Sequence, residues 1–168
     1  AVPLDVTNGD TIAVALDRAE ASFGPVTILI NNAGVTDQSK FLACSEASWD
    51  FTLDTNLKGA WRMAQAMVAR LSALNLGGTV VNISSVYGFR ADKNTSVYSM
   101  TKFGLVGYTK GLHADYHRKG IRVKVFCPTA FGDDAVLKTK TLSNEIVKSA
   151  SDPKDLYNEY IFLSKRIG

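Results

Sequence analysis

Cysteine is scarce in this chain: Cys44 and Cys127 are the only two among 168 residues, far apart and each among apolar or small neighbours. That pattern speaks against a disulfide-stapled scaffold and a thiolate metal site; two buried free thiols are the expectation, with a weak lean towards a reducing compartment. Histidine is equally sparse. His113 and His117 stand four residues apart on one helix face, a spacing at which two imidazoles can share a metal. Yet Ala114, Asp115 and Tyr116 fill the interval, so no glutamate follows His113, and no third ligand is evident. The expectation is no metal, and a helix end where the imidazoles meet the dipole. Long apolar runs are missing too: none approaches the ~20 residues of a membrane span. The opening AVPLDVTNGD has neither the charged start nor the apolar region of a secretory signal. Charge of one sign is not in large excess, with 19 Lys+Arg against 16 Asp+Glu and a net charge of +3. The densest basic stretch, HRKGIRVK from His117 to Lys124, is short. Neither nucleic acid nor a membrane is expected as a partner, and the cytoplasm is the expected location.

What is present reads as one globular domain over residues 1–168, with 46% hydrophobic and 21% charged residues. Short β-branched runs alternate with longer amphipathic segments. VTILINNAG (Val26 to Gly34), GGTVVNISS (Gly77 to Ser85) and GIRVKVFCP (Gly120 to Pro128) read as strands bounded by Gly, Pro or polar turn residues. Thr11 to Phe23 carries Ile12, Ala15, Leu16 and Ala19 at helical spacing, and Ala60, Ala64, Met67, Leu71 and Leu74 repeat at steps of four and three. A third helix spans about Val97 to His117, with Gly120 available for a left-handed turn into the next strand. The order implies right-handed crossovers and an α/β fold, a parallel sheet covered by helices on both faces.

In open parallel sheets ligands bind beyond the carboxyl ends of the strands. The first strand runs there into Asn31, Asn32, Ala33 and Gly34, where glycine lets a flat ligand approach the backbone and asparagine can bond the turn or hold the neighbouring strand. A well-made turn accounts for those residues equally well when they are taken alone. The second strand runs into Ser84 and Ser85, and SVYSMTK follows, placing Tyr98 and Lys102 four residues apart on one helix face. A nearby ammonium favours phenolate, so such a lysine can draw a tyrosine from its usual ~10 towards working pH. Taken alone, that pair is more often a helix surface than a site.

Together, NNAG at Asn31 to Gly34, TNLKG at Thr55 to Gly59, NISS at Asn82 to Ser85 and YSMTK at Tyr98 to Lys102 are similar, in order and spacing, to the short-chain dehydrogenase/reductase family. The resemblance covers residues 1 to about 128. It implies a Rossmann-like, doubly wound sheet and an NAD- or NADP-dependent oxidoreductase interconverting a secondary alcohol and a ketone. By that resemblance Tyr98 is the general acid/base and Lys102 depresses its pKa and bonds the nicotinamide ribose. Ser85 holds the substrate oxygen, and Asn56 positions a water that relays protons to the lysine. LDVT at Leu4 to Thr7 matches the end of the family's third strand, giving Asp5 contact with the adenine and placing Val6 beside it. Asn32, Ala33 and Gly34 line the cofactor loop, and Pro128 begins the segment beside the nicotinamide.

The chain also departs from the family. Thr129 stands where a glycine usually follows the proline, and FGDDAVLKTK matches poorly, as though residues were absent between Pro128 and Lys138. The glycine-rich turn that seats the pyrophosphate at a helix start is nowhere in the chain. About 60 residues, two strands and two helices, are therefore expected ahead of Ala1, and a last strand beyond FLSKRIG. The missing second strand is where NAD is told from NADP. SDPKDLYNEYIFLSK reads as a helix capped by Asp152, with Pro153 in its first turn and Leu156, Tyr160 and Leu163 on one stripe. The two long helices match those through which the family forms tetramers, so a homotetramer or homodimer is expected. The alternative is a catalytically silent relative that binds a nucleotide or partner. Such a protein is expected to lose one of Asn56, Ser85, Tyr98 and Lys102, and all four are here.

Overall fold

Strands form where β-branched residues can pair, and three of the apolar runs do so here in parallel. The computed structural model describes residues 1–36, 38–128 and 160–161. Strands β1 (Ile28–Asn31), β2 (Gly78–Ile83), β3 (Ile121–Phe126) and β4 (Tyr160–Ile161) lie in the order β1-β2-β3-β4, all parallel. Leu29 stands opposite Val80, and Val80 opposite Val123. Parallel neighbours need long crossovers, and helices supply them. Helix α1 (Gly9–Phe23) precedes β1; α2 (Glu46–Leu53) and α3 (Gly59–Ala73) lead to β2; α4 (Ser96–Tyr116) leads to β3.

One face of the sheet packs against these helices. Ile12 and Leu16 of α1, Met63, Met67, Val68 and Leu71 of α3, and Leu29, Val80, Ile121 and Val123 of the strands form one buried cluster. Tyr108, Leu112 and Tyr116 of α4 pack against it. Each large side chain in that cluster contributes about 1.5–3 kcal/mol through burial. On the opposite face Ile28 and Ile30 of β1 are partly exposed, while Val81, Lys124 and Phe126 are buried. The parallel α/β class stands, and the described helices that pack on the sheet do so on one face.

The helix ends follow the expected chemistry, with two additions. The side chain of Asn8 accepts from Asp10 N and so caps α1 two residues earlier than its apolar stripe suggests. Helix α2 has too weak an apolar stripe to be seen in the sequence; Ser45 caps it by accepting from Ser48 N. Gly120 takes the left-handed conformation, φ 79°, between α4 and β3.

Three expectations are corrected. Leu4 to Thr7 ends no strand: residues 1–5 are unpaired and Val6 and Thr7 form a turn, because no described strand runs alongside to complete a ladder. Tyr160 and Ile161 are a strand, not helix, since β3 offers an open edge on which Tyr160 registers with Val125 and Ile161 with Phe126. Cys44 is only half-buried, lying at the end of a single 3₁₀ turn over Phe41–Ala43, whereas Cys127 is buried as expected. The segment from Thr129 through FGDDAVLKTK, and the Asp152 cap with Pro153 and Leu156, lie outside the described residues.

Candidate active site

The carboxyl ends of β1 and β2 and the first turns of α4 meet at one place. After β2 the chain passes through Ser84 and Ser85, makes a 3₁₀ turn over Val86–Gly88 and enters α4 at Ser96. Val86 N donates to Pro128 O at 2.9 Å, so Pro128 braces this turn from the end of β3. Ser84 Oγ donates to Lys102 O at 3.0 Å, fastening α4 to the strand end.

Tyr98 and Lys102 share the α4 face that looks onto this strand end. The Lys102 ammonium lies 5.6 Å from the centroid of the Tyr98 ring and donates to Ile83 O at 2.9 Å. Burial brings its pKa down to about 8, against a weaker upward pull from Cys127. Tyr98 moves the other way. Burial raises its pKa, the hydrogen bond with the Ser85 hydroxyl draws it back, and Tyr87 adds a small upward push. Lys102 is not among the groups that shift the Tyr98 pKa in the chain on its own. The ammonium lies over the ring and spends a hydrogen bond on the Ile83 carbonyl. Ser85, 9% exposed, is the group that stabilises the phenolate.

Asn56 reaches the same place from below. It sits, 1% exposed, in a π-helical turn, Asp54–Lys58, where Gly59 N reaches back five residues to Asp54 O. Its Oδ1 accepts from Val35 N at 2.7 Å, and its Nδ2 donates to Val35 O at 2.9 Å and to Thr101 Oγ1 at 3.1 Å. Thr101 Oγ1 in turn donates to Tyr98 O at 2.8 Å. The asparagine side chain thus pins the loop after β1 to the turn of α4 that carries Tyr98, and makes no direct bond to Lys102.

The backbone at Gly34 faces both groups: a Cβ there would stand 3.4 Å from Asn56 Oδ1 and 3.7 Å from Lys102 Nζ. Only a residue without a side chain leaves that surface open to a flat ligand. Asn32 and Ala33 are exposed on the same loop. Asn31, by contrast, points into the core, its Nδ2 donating to Asn82 Oδ1 at 2.9 Å and to Ala60 O at 3.2 Å, so it holds the neighbouring strand.

Asp5 and Val6 form a separate lobe at the start of α3. The Asp5 carboxylate accepts from Thr7 N and Thr7 Oγ1, both at 2.8 Å, and these bonds, the backbone one first, lower its pKa. One of its oxygens is so engaged. Val6 lies against Gly59, where a Cβ would come within 2.7 Å of Val6 Cγ2, and Arg62 donates to Thr7 O at 2.7 Å. The two histidines lie at the far end of α4, rings stacked at 5.2 Å, with His117 Nδ1 3.0 Å from His113 O.

The structure thus brings Gly34, Asn56, Ser85, Tyr98 and Lys102 together, sets Pro128 behind the Val86 turn and leaves Asp5 and Val6 on a neighbouring rim. Thr101, Val35 and the Ile83 carbonyl belong to the site and were not found in the sequence. Thr101 left one clue, a hydroxyl three residues after Tyr98 on a helix face.

Comparison with known proteins agrees with this arrangement. The family described as short chain dehydrogenase matches residues 1–143. The oxidoreductase UcpA of Escherichia coli K12 is 40% identical over 129 residues, covering 76% of this chain and 49% of UcpA. A short-chain dehydrogenase from Streptomyces avermitilis superposes with a TM-score of 0.83 at 26% identity, over 98% of this chain and 70% of that one. A gluconate 5-dehydrogenase from Burkholderia cenocepacia, in complex with NADP and tartrate, gives 0.79 at 27% identity, over 96% and 72%. The chain spans about half the length of the curated relatives it matches. On these grounds the chain belongs to the short-chain dehydrogenase/reductase family of oxidoreductases.

Proposed function

We propose that this chain carries the catalytic half of an NAD- or NADP-dependent oxidoreductase that interconverts a secondary alcohol and a ketone. The observation that carries the reading is the meeting of the Ser85 hydroxyl, the Tyr98 phenol and the Lys102 ammonium beside the open backbone of Gly34. The gluconate 5-dehydrogenase that holds NADP supports a nicotinamide cofactor, which when bound exchanges a hydride with the substrate carbon.

The residues of this chain do the rest. In the reductive direction the phenol of Tyr98 gives its proton to the carbonyl oxygen as negative charge develops there, and the Ser85 hydroxyl donates to the same oxygen. A phenol whose pKa is raised by burial keeps its proton at neutral pH and is ready to act as an acid. Lys102, with its pKa near 8, stays largely cationic at pH 7. It can exchange the carbonyl of Ile83 for a ribose hydroxyl without leaving the site. Asn56 fixes the distance between Gly34 and Tyr98, and by the family resemblance a water ordered beside it returns protons to Lys102. Asn32, Ala33, Gly34 and Pro128 would line the cofactor, and Asp5 and Val6 would meet its adenine. The exposed faces of α3 and α4, with Trp61 and Phe103 exposed on them, suit assembly into a homodimer or homotetramer.

Tyr98→Phe in the protein at its natural length tests the reading. The expected result is a fall in kcat of about 10³-fold with NADPH or NADH affinity unchanged. Turnover within about threefold of the parent would sink it, whichever ketone is used.

A further inference from the structure

The turn between Ser85 and Tyr98 contains a cluster that the chemistry above does not use. Tyr87 sets its ring edge-on to Tyr98, with centroids 5.9 Å apart and planes at 74°. Its hydroxyl donates to Asp92 Oδ2 at 3.0 Å. Arg90 lies over the same ring, 5.8 Å from its centroid, and pairs with Asp92 at 3.7 Å. Asp92 is also tied to the helix through its backbone: its N donates to Thr95 Oγ1 at 3.0 Å, and Thr95 Oγ1 donates to Asp92 O at 2.7 Å. Thr95 Oγ1 accepts from Ser99 Oγ at 3.0 Å, and Ser99 N donates to Thr95 O at 2.7 Å. The chain of contacts thus leaves Tyr87 and returns to the residue beside Tyr98.

We propose that Tyr87 is a positioning residue for Tyr98, held by Asp92, so that the turn from Val86 to Thr95 acts as a strut between Ser85 and the start of α4. The proposal rests on the reading in which Tyr98 transfers the proton. Physical magnitudes favour the ring contact as the working part. The Arg90 and Asp92 side chains are 63% and 57% exposed, so their ion pair contributes little by itself. An edge-to-face aromatic pair has a defined geometry, and its energy is lost if one ring swings away. An untethered Tyr87 would be free to rotate, since it is only half-buried and its hydroxyl has no other bond among the described residues. Without that neighbour the Tyr98 ring gains freedom about its own side-chain bonds. A phenol that must meet both Ser85 and a substrate oxygen cannot use that freedom.

Four variants of the natural-length protein test it: Tyr87→Ala, Tyr87→Phe, Asp92→Ala and Asp92→Asn. Steady-state kinetics with NADPH or NADH and a panel of small ketones is read beside tyrosine ¹³Cζ NMR spectra, in which the Tyr98 line is identified by its loss in Tyr98→Phe. Asp92→Ala and Tyr87→Ala are expected to lower kcat up to about tenfold with KM within about twofold, and to move or broaden the Tyr98 line. Asp92→Asn, which keeps an acceptor, should restore both, and Tyr87→Phe should fall between. Should Tyr87→Ala fail to fold, the Asp92 pair decides, because that side chain is exposed. A Tyr98 line unmoved in Asp92→Ala, or a raised KM with kcat intact, would overturn the proposal; the latter would make Tyr87 a wall of the substrate pocket. If the parent turns over no ketone and the Tyr98 line still moves, the strut stands and the oxidoreductase reading falls.

Discussion

Asn82 and Asn56 are buried alike, at 0% and 1% exposure, and both side chains bond wholly to protein, yet their networks end in different places. Asn82 Oδ1 accepts from Asn31, and its Nδ2 donates to Thr109 Oγ1 at 2.9 Å, which donates on to Leu105 O at 2.8 Å. That network starts and finishes inside the core, tying β1 to β2 and β2 to α4. Asn56 ties the loop after β1 to α4 by equivalent bonds, but its oxygen lies under the open surface of Gly34 beside Lys102. Burial and hydrogen bonding therefore do not separate a fold-holding asparagine from a site-building one. What separates them is whether the network reaches a surface that a ligand can occupy.

The contrast can be broken at Lys102, the charged end of the site network. A buried lysine whose folded pKa is about 8 against 10.5 unfolded binds fewer protons in the folded state across that interval. Stability must then rise with pH from about 8 to 10.5, because the cost of burying the charge, present in full below pH 8, is relieved. The rise is about 3 kcal/mol. Chemical denaturation of the parent and Lys102→Met at pH 7, 8, 9 and 10 checks it: the gap between the two should change by 2 kcal/mol or more, and parallel curves would refute it. Tyr108, pushed up to about 12 by burial, works in the opposite direction only above pH 10.

A second test compares the two asparagines directly. Asn82→Leu leaves Asn31 with a single acceptor and Thr109 without its donor. Asn56→Leu strands both Val35 N and Val35 O. Each is expected to lower stability by about 2–3 kcal/mol in urea unfolding. Their effects on nicotinamide cofactor should diverge, with Asn56→Leu weakening it about tenfold or more and Asn82→Leu leaving it nearly unchanged. Equal losses of affinity would erase the distinction drawn here.

The smallest change sharpens the comparison most. Gly34→Ala adds one methyl that meets Asn56 Oδ1 and Lys102 Nζ at ordinary contact distance, 3.4 and 3.7 Å, so stability should shift by no more than about 0.5 kcal/mol. The methyl would occupy the surface proposed above for the cofactor. Cofactor affinity measured by nicotinamide fluorescence should fall about tenfold, or about 1.4 kcal/mol. Unchanged affinity would mean that Gly34 serves only the turn.

How much of this was legible beforehand follows from what each residue depends on. The placement of Ser85, Tyr98 and Lys102 beside one another was readable because a strand end and a helix repeat fix it locally, and the long helices were readable from their apolar stripes. Asn56 was readable as a motif but not in its bonding, since its partners, Val35 and Thr101, lie 21 and 45 residues away. The helical guess at Tyr160 failed because a capped apolar stripe is compatible with helix until a neighbouring strand offers backbone partners. Leu4 to Thr7 failed for the converse reason. The pKa of Tyr98 could not be read from a spacing of four residues, because a spacing fixes neither the burial of the ring nor the direction in which the lysine points.

The π-helical turn at Asp54–Lys58 carries one more consequence, which concerns chain length. It holds one residue more than an α-helix would over the same rise, and each residue turns a helix by about 100°. Deleting Leu57 would let the segment relax to regular α-helix while swinging everything before it round the axis, Asn56 included. Among descendants of this sequence, the number of residues in that turn cannot change. Insertions and deletions, more than substitutions, are the changes this part of the molecule would refuse.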